Sequence, residues 1–233
     1  KLAKPSIIIH MAAQSIVGTS FEEPIKTFMT NIIGTANILE AVRYNNSVKA
    51  LINVTSDKCY EVNDVKKPHK ETDRLGGYDP YSCSKACSEL VTLAYKKSFF
   101  FDVGIASVRA GNVIGGGDWA KNRLIPDFFN TLYKNEVLNV RSPNSTRPWQ
   151  HVLEPIAGYL LLAEKLVKNK KKYSGPWNFG PSLKNTQTVF QILKILKKKI
   201  KKSRFKIKDN LKIHETKILQ LNSFKSKSKL GWN

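Results

Sequence analysis

The chain has 233 residues, 41% of them hydrophobic, which suits one large packed domain or two small ones. Its formal charge of +21 comes from 39 Lys and Arg against 18 Asp and Glu, and much of the excess is lysine in the last third (Lys168 to Lys172, Lys197 to Lys202, Lys225, Lys227 and Lys229). These runs carry few interleaved aromatics and no nucleic-acid module, so they read as solvated faces with no specific nucleic-acid partner; no apolar stretch approaches the roughly 18–20 residues that cross a bilayer, so no membrane is expected.

Lys4 to His10 reads as a buried strand. Phe21 to Tyr44 has helical spacing, with Phe28, Ile32, Ala36, Leu39 and Val42 placed to line one face. Val48 to Val54 is the next strand, and a polar loop runs from it to about Tyr78. A helix is expected over Tyr81 to Ser98 and a third strand over Asp102 to Arg109. Strand alternating with helix is the rhythm of an α/β, Rossmann-type, doubly wound parallel sheet.

After Arg109 the pattern changes. Gly111 to Asp118 is a glycine-rich loop, Asn122 to Lys134 reads as helix and Val137 to Val140 as a short strand. Pro155 to Val167 is an apolar-faced helix, Trp177 to Pro181 a short strand ending in a turn, and Thr188 to Lys202 a basic amphipathic helix. The expected division is residues 1–111 as the carboxyl-terminal half of a Rossmann-type domain and 112–233 as a smaller mixed α/β substrate-binding region. The helix near 155–167 is expected to pack back on the sheet. Trp149 and Trp177 read as core or domain-junction residues rather than base-stacking platforms.

The chemistry gathers at two places. Thr55-Ser56-Asp57-Lys58 puts a hydroxyl, a carboxylate and an amine at the end of the apolar run Ala50 to Val54. In parallel sheets ligands bind beyond the carboxyl ends of such strands. Tyr81 and Lys85 lie one turn apart on the following helix, so phenol and ammonium share a face. Cys59, Cys83 and Cys87 cluster nearby without zinc-type spacing, which predicts free thiols in a reducing cytoplasm, no disulfide and no metal.

These blocks resemble the extended short-chain dehydrogenase/reductases, sugar-nucleotide branch. His10-Met11-Ala12-Ala13-Gln14 is similar to that branch's loop beside the cofactor, and Asn31 to Ala41 to its following helix. Ser56-Asp57-Lys58 resembles its dehydratase triplet, and Tyr81 with Lys85 its shared catalytic pair. Arg109 to Trp119, Arg123 to Asp127, Arg147 to Val152 and Trp177 to Pro181 match further blocks in order.

The resemblance implies an NAD-dependent lyase that oxidises a nucleotide-diphosphate sugar at C4, eliminates water across C5 and C6, and returns hydride to C6. Tyr81 is then the base at the C4 hydroxyl, with Lys85 stabilising its phenolate. Ser56 hydrogen-bonds the C4 oxygen, Asp57 gives a proton to the departing C6 hydroxyl, and Lys58 takes the C5 proton. Lysine rather than glutamate at that last place resembles the branch acting on CDP-glucose.

His10, Ala12, Ala13, Gln14 and Asn31, with Tyr81 and Lys85, are the expected cofactor-binding residues. Asn112, Arg123 and Arg147 are the expected substrate-binding residues, the arginines suiting bidentate contact with phosphate, and pairing with Asp118, Asp127 or Glu154 is their alternative. A homodimer is expected, because the family usually pairs through helices beside the tyrosine. The family's amino-terminal glycine-rich turn is not found, so the chain is expected to be a fragment lacking on the order of 60–80 residues. Weak NAD binding by the 233 residues alone follows. A 4-epimerase, which shares Tyr81 and Lys85 but not the Asp57-Lys58 pair, and an inactive fragment serving as an interaction module are the competing readings.

Overall fold

A computed structural model describes residues 3–61, 67–182, 186–208 and 219–233. Part of the polar loop expected before Tyr78 lies outside them. In order, the first half comprises β1 (Ile7–His10), α1 (Val17–Glu22), α2 (Pro24–Phe28), a π-helical turn (Met29–Ile33), α3 (Gly34–Arg43), β2 (Ala50–Val54), a 3₁₀ turn (Asp57–Cys59), α4 (Pro80–Ser98) and β3 (Gly104–Ala110). The second half comprises β4 (Val113–Ile114), α5 (Leu124–Tyr133), β5 (Leu138–Val140), β6 (Thr146–Arg147), β7 (Gln150–His151), α6 (Leu153–Lys168), α7 (Lys170–Tyr173), β8 (Gly175–Phe179), β9 (Gln187–Thr188), α8 (Val189–Lys199), β10 (Phe205–Ile207) and α9 (Phe224–Leu230). No helix among the described residues is long and apolar enough to cross a membrane.

The main sheet runs β1-β2-β3-β8, all parallel, with Ile52 opposite Ala106 and Val108 opposite Trp177. Both faces of β2 are buried, as its unbroken apolar sequence requires. Ala50 and Ile52 point toward α6, where they meet Leu162, Ala163, Leu166, Trp177 and Phe179. Leu51 points the other way, into a cluster with Leu39, Val42 and Ile105 under α3 and α4. Full burial of a side chain such as Ile52 contributes about 1.5–3 kcal/mol. Gly158 lets α6 approach closely, since a Cβ there would lie 2.3 Å from the Phe179 ring. A separate small core of Phe128, Leu138, Val140 and Leu193 forms under α5 and α8.

Two sequence expectations are corrected. Residues 21–44 are not one regular helix: the chain breaks at Glu23, Pro24 restarts it at a first-turn position, and a π turn follows. The buried stripe at its start is also polar. Thr27, Asn31 and Thr35 are buried, while Phe28, Ile32 and Ala36 are only half-buried. These polar groups meet a matching face of α4: Asn31 Nδ2 donates to Ser84 Oγ (2.8 Å), and the Thr35 and Ser88 hydroxyls share a 2.8 Å bond. Asn53 from β2 joins through Ser88 (2.9 Å) and Thr92 (2.8 Å). Buried hydroxyls satisfied in this way are invisible to a count of apolar residues.

The short strand near Trp177 joins the main sheet as its fourth member rather than standing apart, so residues beyond 111 complete the sheet as well as covering it. Trp177 is fully buried there, stacked on Tyr173. β1, β2, α4, β3, α5, β5, α6 and α8 fall within a few residues of the expected positions, although β1 is half-buried with Ile7 exposed rather than buried, and β4, β6, β7, α7, β9, β10 and α9 were not anticipated.

Candidate active site

The turn after β2 and the start of α4 meet at the carboxyl end of the sheet. Ser56 caps the 3₁₀ turn, accepting the Lys58 N–H at 3.2 Å. Asp79 caps α4 by accepting from Ser82 N at 2.9 Å and Ser82 Oγ at 2.6 Å, and Pro80 occupies the first turn beside it. Tyr81 is thereby placed in the first turn, where its own N–H donates to Ser20 Oγ of α1 at 3.2 Å.

Ser56 is the hub. Its Oγ donates to Asp57 Oδ1 at 3.1 Å, and its side chain is the neighbour that most draws the Tyr81 phenol down. Burial pushes the phenol up to about 12, with Ser56 and the charge of Arg123 pulling it back. Lys85 is buried on the same face of α4 and donates to the Val54 carbonyl at 3.2 Å. Burial brings its ammonium down to about 8, against the upward pull of Cys59 and Glu89. The Lys85 ammonium is directed to the Val54 carbonyl at the end of β2.

Asp57 is 3% exposed, and its Oδ2 has no hydrogen-bond partner among the described residues. Desolvation raises its carboxyl above the ordinary 3.8, while Lys58, Ser56 and Arg147 draw it down. Gly111 closes over it: a Cβ there would sit 1.9 Å from Oδ2 and 2.9 Å from Pro148. A carboxyl held this way keeps its proton to higher pH, as a general acid must. Lys58 is half-buried beside it.

The expected binding residues divide. His10 ends β1, half-buried, its imidazole lowered by desolvation and by the Lys85 charge. Ala12 is exposed and Ala13 half-buried, which leaves the loop after β1 with little side-chain cover. Gln14 and Asn31 bond to each other: Gln14 N donates to Asn31 Oδ1 (2.8 Å), and Asn31 Nδ2 donates to Gln14 O (2.9 Å). The Gln14 side chain also donates to Thr27 Oγ1 (2.8 Å), so both residues shape the loop from within.

Asn112 sits at φ 39°, a left-handed conformation that asparagine tolerates, and its carbonyl accepts from Gln150 N at 3.3 Å. Arg123 pairs with Asp118 at 2.9 Å and reaches Ser15 Oγ at 3.1 Å, tying the loop after β1 to the second half of the chain. Arg147 is buried on β6, and its charge reaches Asp57. Trp149 donates to the Gln187 carbonyl at 3.0 Å. Sequence reasoning missed Gly111 as the lid over Asp57, and missed the buried pair of Glu89 and Arg109 at 2.8 Å.

The GDP-mannose 4,6 dehydratase family profile matches residues 1–233. The chain belongs to that family. It is 45% identical over 99% of its length to the CDP-glucose 4,6-dehydratase of Salmonella typhimurium, and it spans 66% of that relative's length. Among solved structures, the dTDP-glucose 4,6-dehydratase of Streptomyces venezuelae, determined with NAD bound, superposes with a TM-score of 0.84 at 23% identity. That match covers 100% of this chain and 69% of the other. The UDP-glucose 4-epimerase of Thermotoga maritima matches at 0.84 and 24% identity, covering 100% and 73%. Structural likeness at such identities establishes the Rossmann-type fold that dehydratases and epimerases share.

Proposed function

We propose that the protein is an NAD-dependent nucleotide-sugar 4,6-dehydratase, a hydro-lyase that turns CDP-glucose into CDP-4-keto-6-deoxyglucose. The observation that carries this reading is the buried Asp57 carboxyl, half-satisfied and hydrogen-bonded to Ser56. An epimerase needs only the phenol; a carboxyl whose pKa burial raises serves the loss of water. The 45% identity to a CDP-glucose enzyme supports the choice of nucleotide.

The residues present suit the cofactor. The loop after β1 carries small side chains at Ala12 and Ala13, His10 lies at its root, and Lys85 stands behind it on α4. When bound, NAD supplies the hydride acceptor for C4 and the donor for C6. Tyr81, in the phenolate form that the Lys85 charge must favour against its burial, takes the proton of the C4 hydroxyl, with Ser56 hydrogen-bonding the oxygen as charge shifts there. Asp57 hands its proton to the C6 hydroxyl as it leaves, and Lys58, in its neutral form, receives the proton from C5. Arg147 and Arg123 hold the diphosphate, with Asn112 at the sugar. Incubating the complete gene product with CDP-glucose and NAD tests this by proton NMR. A new methyl doublet from C6 is the expected result, and a C4 epimer with an intact hydroxymethyl group refutes it. UDP-glucose and dTDP-glucose run in parallel separate the nucleotide from the reaction.

A homodimer belongs to the same reading. Phe21, Ile25, Met29 and Ile33 are exposed along α1, α2 and the π turn, and Leu90 and Leu93 are exposed on the adjacent α4. Such a stripe suits burial against a second copy. Ile25→Asp with Leu90→Asp should leave a monomer in sedimentation; an unchanged mass argues against this face. The three free cysteines suit a cytoplasmic setting.

A further inference from the structure

We propose that the Glu89–Arg109 ion pair is the positioning unit of this active site, holding the Ser56–Lys58 turn and the Tyr81–Lys85 helix in one register. The proposal rests on the dehydratase reading for its kinetic arm only.

The pair lies in the interior, between α4 and β3 and behind the Ser56–Lys58 turn. Glu89 lies one turn beyond Lys85 on α4, and Arg109 lies on β3; both are almost fully buried. The guanidinium grips the carboxylate in a fork, Nε to Oε1 at 2.9 Å and Nη2 to Oε2 at 2.8 Å. Each partner then reaches one end of the catalytic turn. Glu89 Oε1 accepts from Thr55 Oγ1 at 2.5 Å, immediately before Ser56. Arg109 Nη1 donates to the Tyr60 hydroxyl at 2.8 Å, immediately after Cys59. Tyr60 passes the contact on to Asn178 Oδ1 of β8 at 2.7 Å, and Ser107 Oγ donates to Glu89 Oε2 at 2.6 Å. One ion pair thus clamps both ends of the segment carrying Ser56, Asp57 and Lys58, and anchors it to α4, β3 and β8.

Each Glu89 carboxylate oxygen accepts two hydrogen bonds, which is the condition under which a buried ion pair specifies geometry instead of merely costing desolvation. The pair also sets the charge around Lys85. The groups facing that ammonium are Glu89 on its own helix, Cys59 from the turn, the Val54 carbonyl of β2 and the His10 imidazole at the end of β1. Glu89 is the carboxylate among them, and its charge favours the protonated amine.

The test is the double variant Glu89→Gln/Arg109→Met, which leaves neither charge buried alone, compared with the parent by circular dichroism, steady-state kinetics and ¹⁵N NMR of the Lys85 amine. The expected result is a folded protein whose kcat falls about 10–100-fold with KM little changed, the usual cost of a misplaced catalytic group. The Lys85 titration should move below its parental midpoint of about 8. A folded double variant with parental kcat and parental midpoint overturns the proposal. Should the double variant not fold, Glu89→Asp decides: it keeps the charge and shortens the reach to Thr55. Loss of kcat with an unmoved Lys85 midpoint supports positioning, and parental kcat overturns it. The Lys85 titration needs no substrate, so a parent inactive on CDP-glucose refutes the dehydratase reading while the midpoint shift still judges the pair.

Discussion

Replacing Asp57 by Asn should stabilise the protein at neutral and alkaline pH while removing its ability to expel water. The side chain is 3% exposed, Oδ1 accepts one hydrogen bond of 3.1 Å, and Oδ2 has no hydrogen-bond partner among the described residues. Ionising such a group leaves a charged oxygen without a donor, at a cost of about 1–3 kcal/mol. Asn keeps the shape and removes the charge, but its amide N–H inherits the unpartnered corner and returns part of the gain. A net stabilisation of about 1–2 kcal/mol remains, worth about 2–8 °C in Tm for a chain of this size. The sign follows from linkage. The folded carboxyl titrates above its unfolded value of 3.8, so the folded state holds the proton more tightly. The stability this contributes is complete below 3.8 and is lost as pH rises through the folded value. The advantage of Asn should therefore be absent at the acid end, grow as pH rises, and level off above the folded value. Thermal melts of parent and variant from pH 4 to pH 9 measure it. A variant less stable than the parent at every pH, or a difference that ignores pH, refutes the account of Asp57 as a strained, proton-holding acid.

Lys58→Met should allow oxidation at C4 but slow elimination by about 10²–10⁴; a 4-keto sugar without a C6 methyl should accumulate in single-turnover NMR, and full activity would reduce Lys58 to a bystander. Arg147→Ala should weaken sugar-nucleotide binding by about 1.5–3 kcal/mol with NAD affinity nearly unchanged, measured by calorimetry. Gly111→Ala drives a Cβ to 1.9 Å from Asp57 Oδ2, so it should cost about 1–3 kcal/mol in a denaturant melt and lower kcat with it. A melt like the parent's would mean that the Gly111–Asp57 contact is loose.

The sheet and the catalytic turn were legible because they obey local rules. Ala50 to Val54 is apolar at every place but Asn53, and Tyr81 and Lys85 stand at a helical spacing after Asp79-Pro80, a helix-start signal. The π turn at Met29–Ile33 was not legible, since it answers to the Gln14–Asn31 bonds rather than to apolar periodicity. Glu89 and Arg109 looked like ordinary helix and strand polar residues 20 positions apart, and only the fold brings them to 2.8 Å. Arg123 read first as a phosphate ligand and second as a partner for a carboxylate, and only the fold shows the pair with Asp118, five positions away. Gly111 gave no local sign of its role, because the clash it avoids is with Asp57, 54 positions earlier in the chain.

The measurement that tests the central claim most directly follows one atom. CDP-glucose carrying deuterium at C4 is converted by the complete gene product with NAD, and the product is read by NMR. The account predicts that the label arrives in the C6 methyl group, because the hydrogen taken at C4 is returned to C6 after Asp57 and Lys58 have removed water. Deuterium remaining at C4 of an epimerised sugar, or substrate recovered unchanged beside bound NAD, would contradict it.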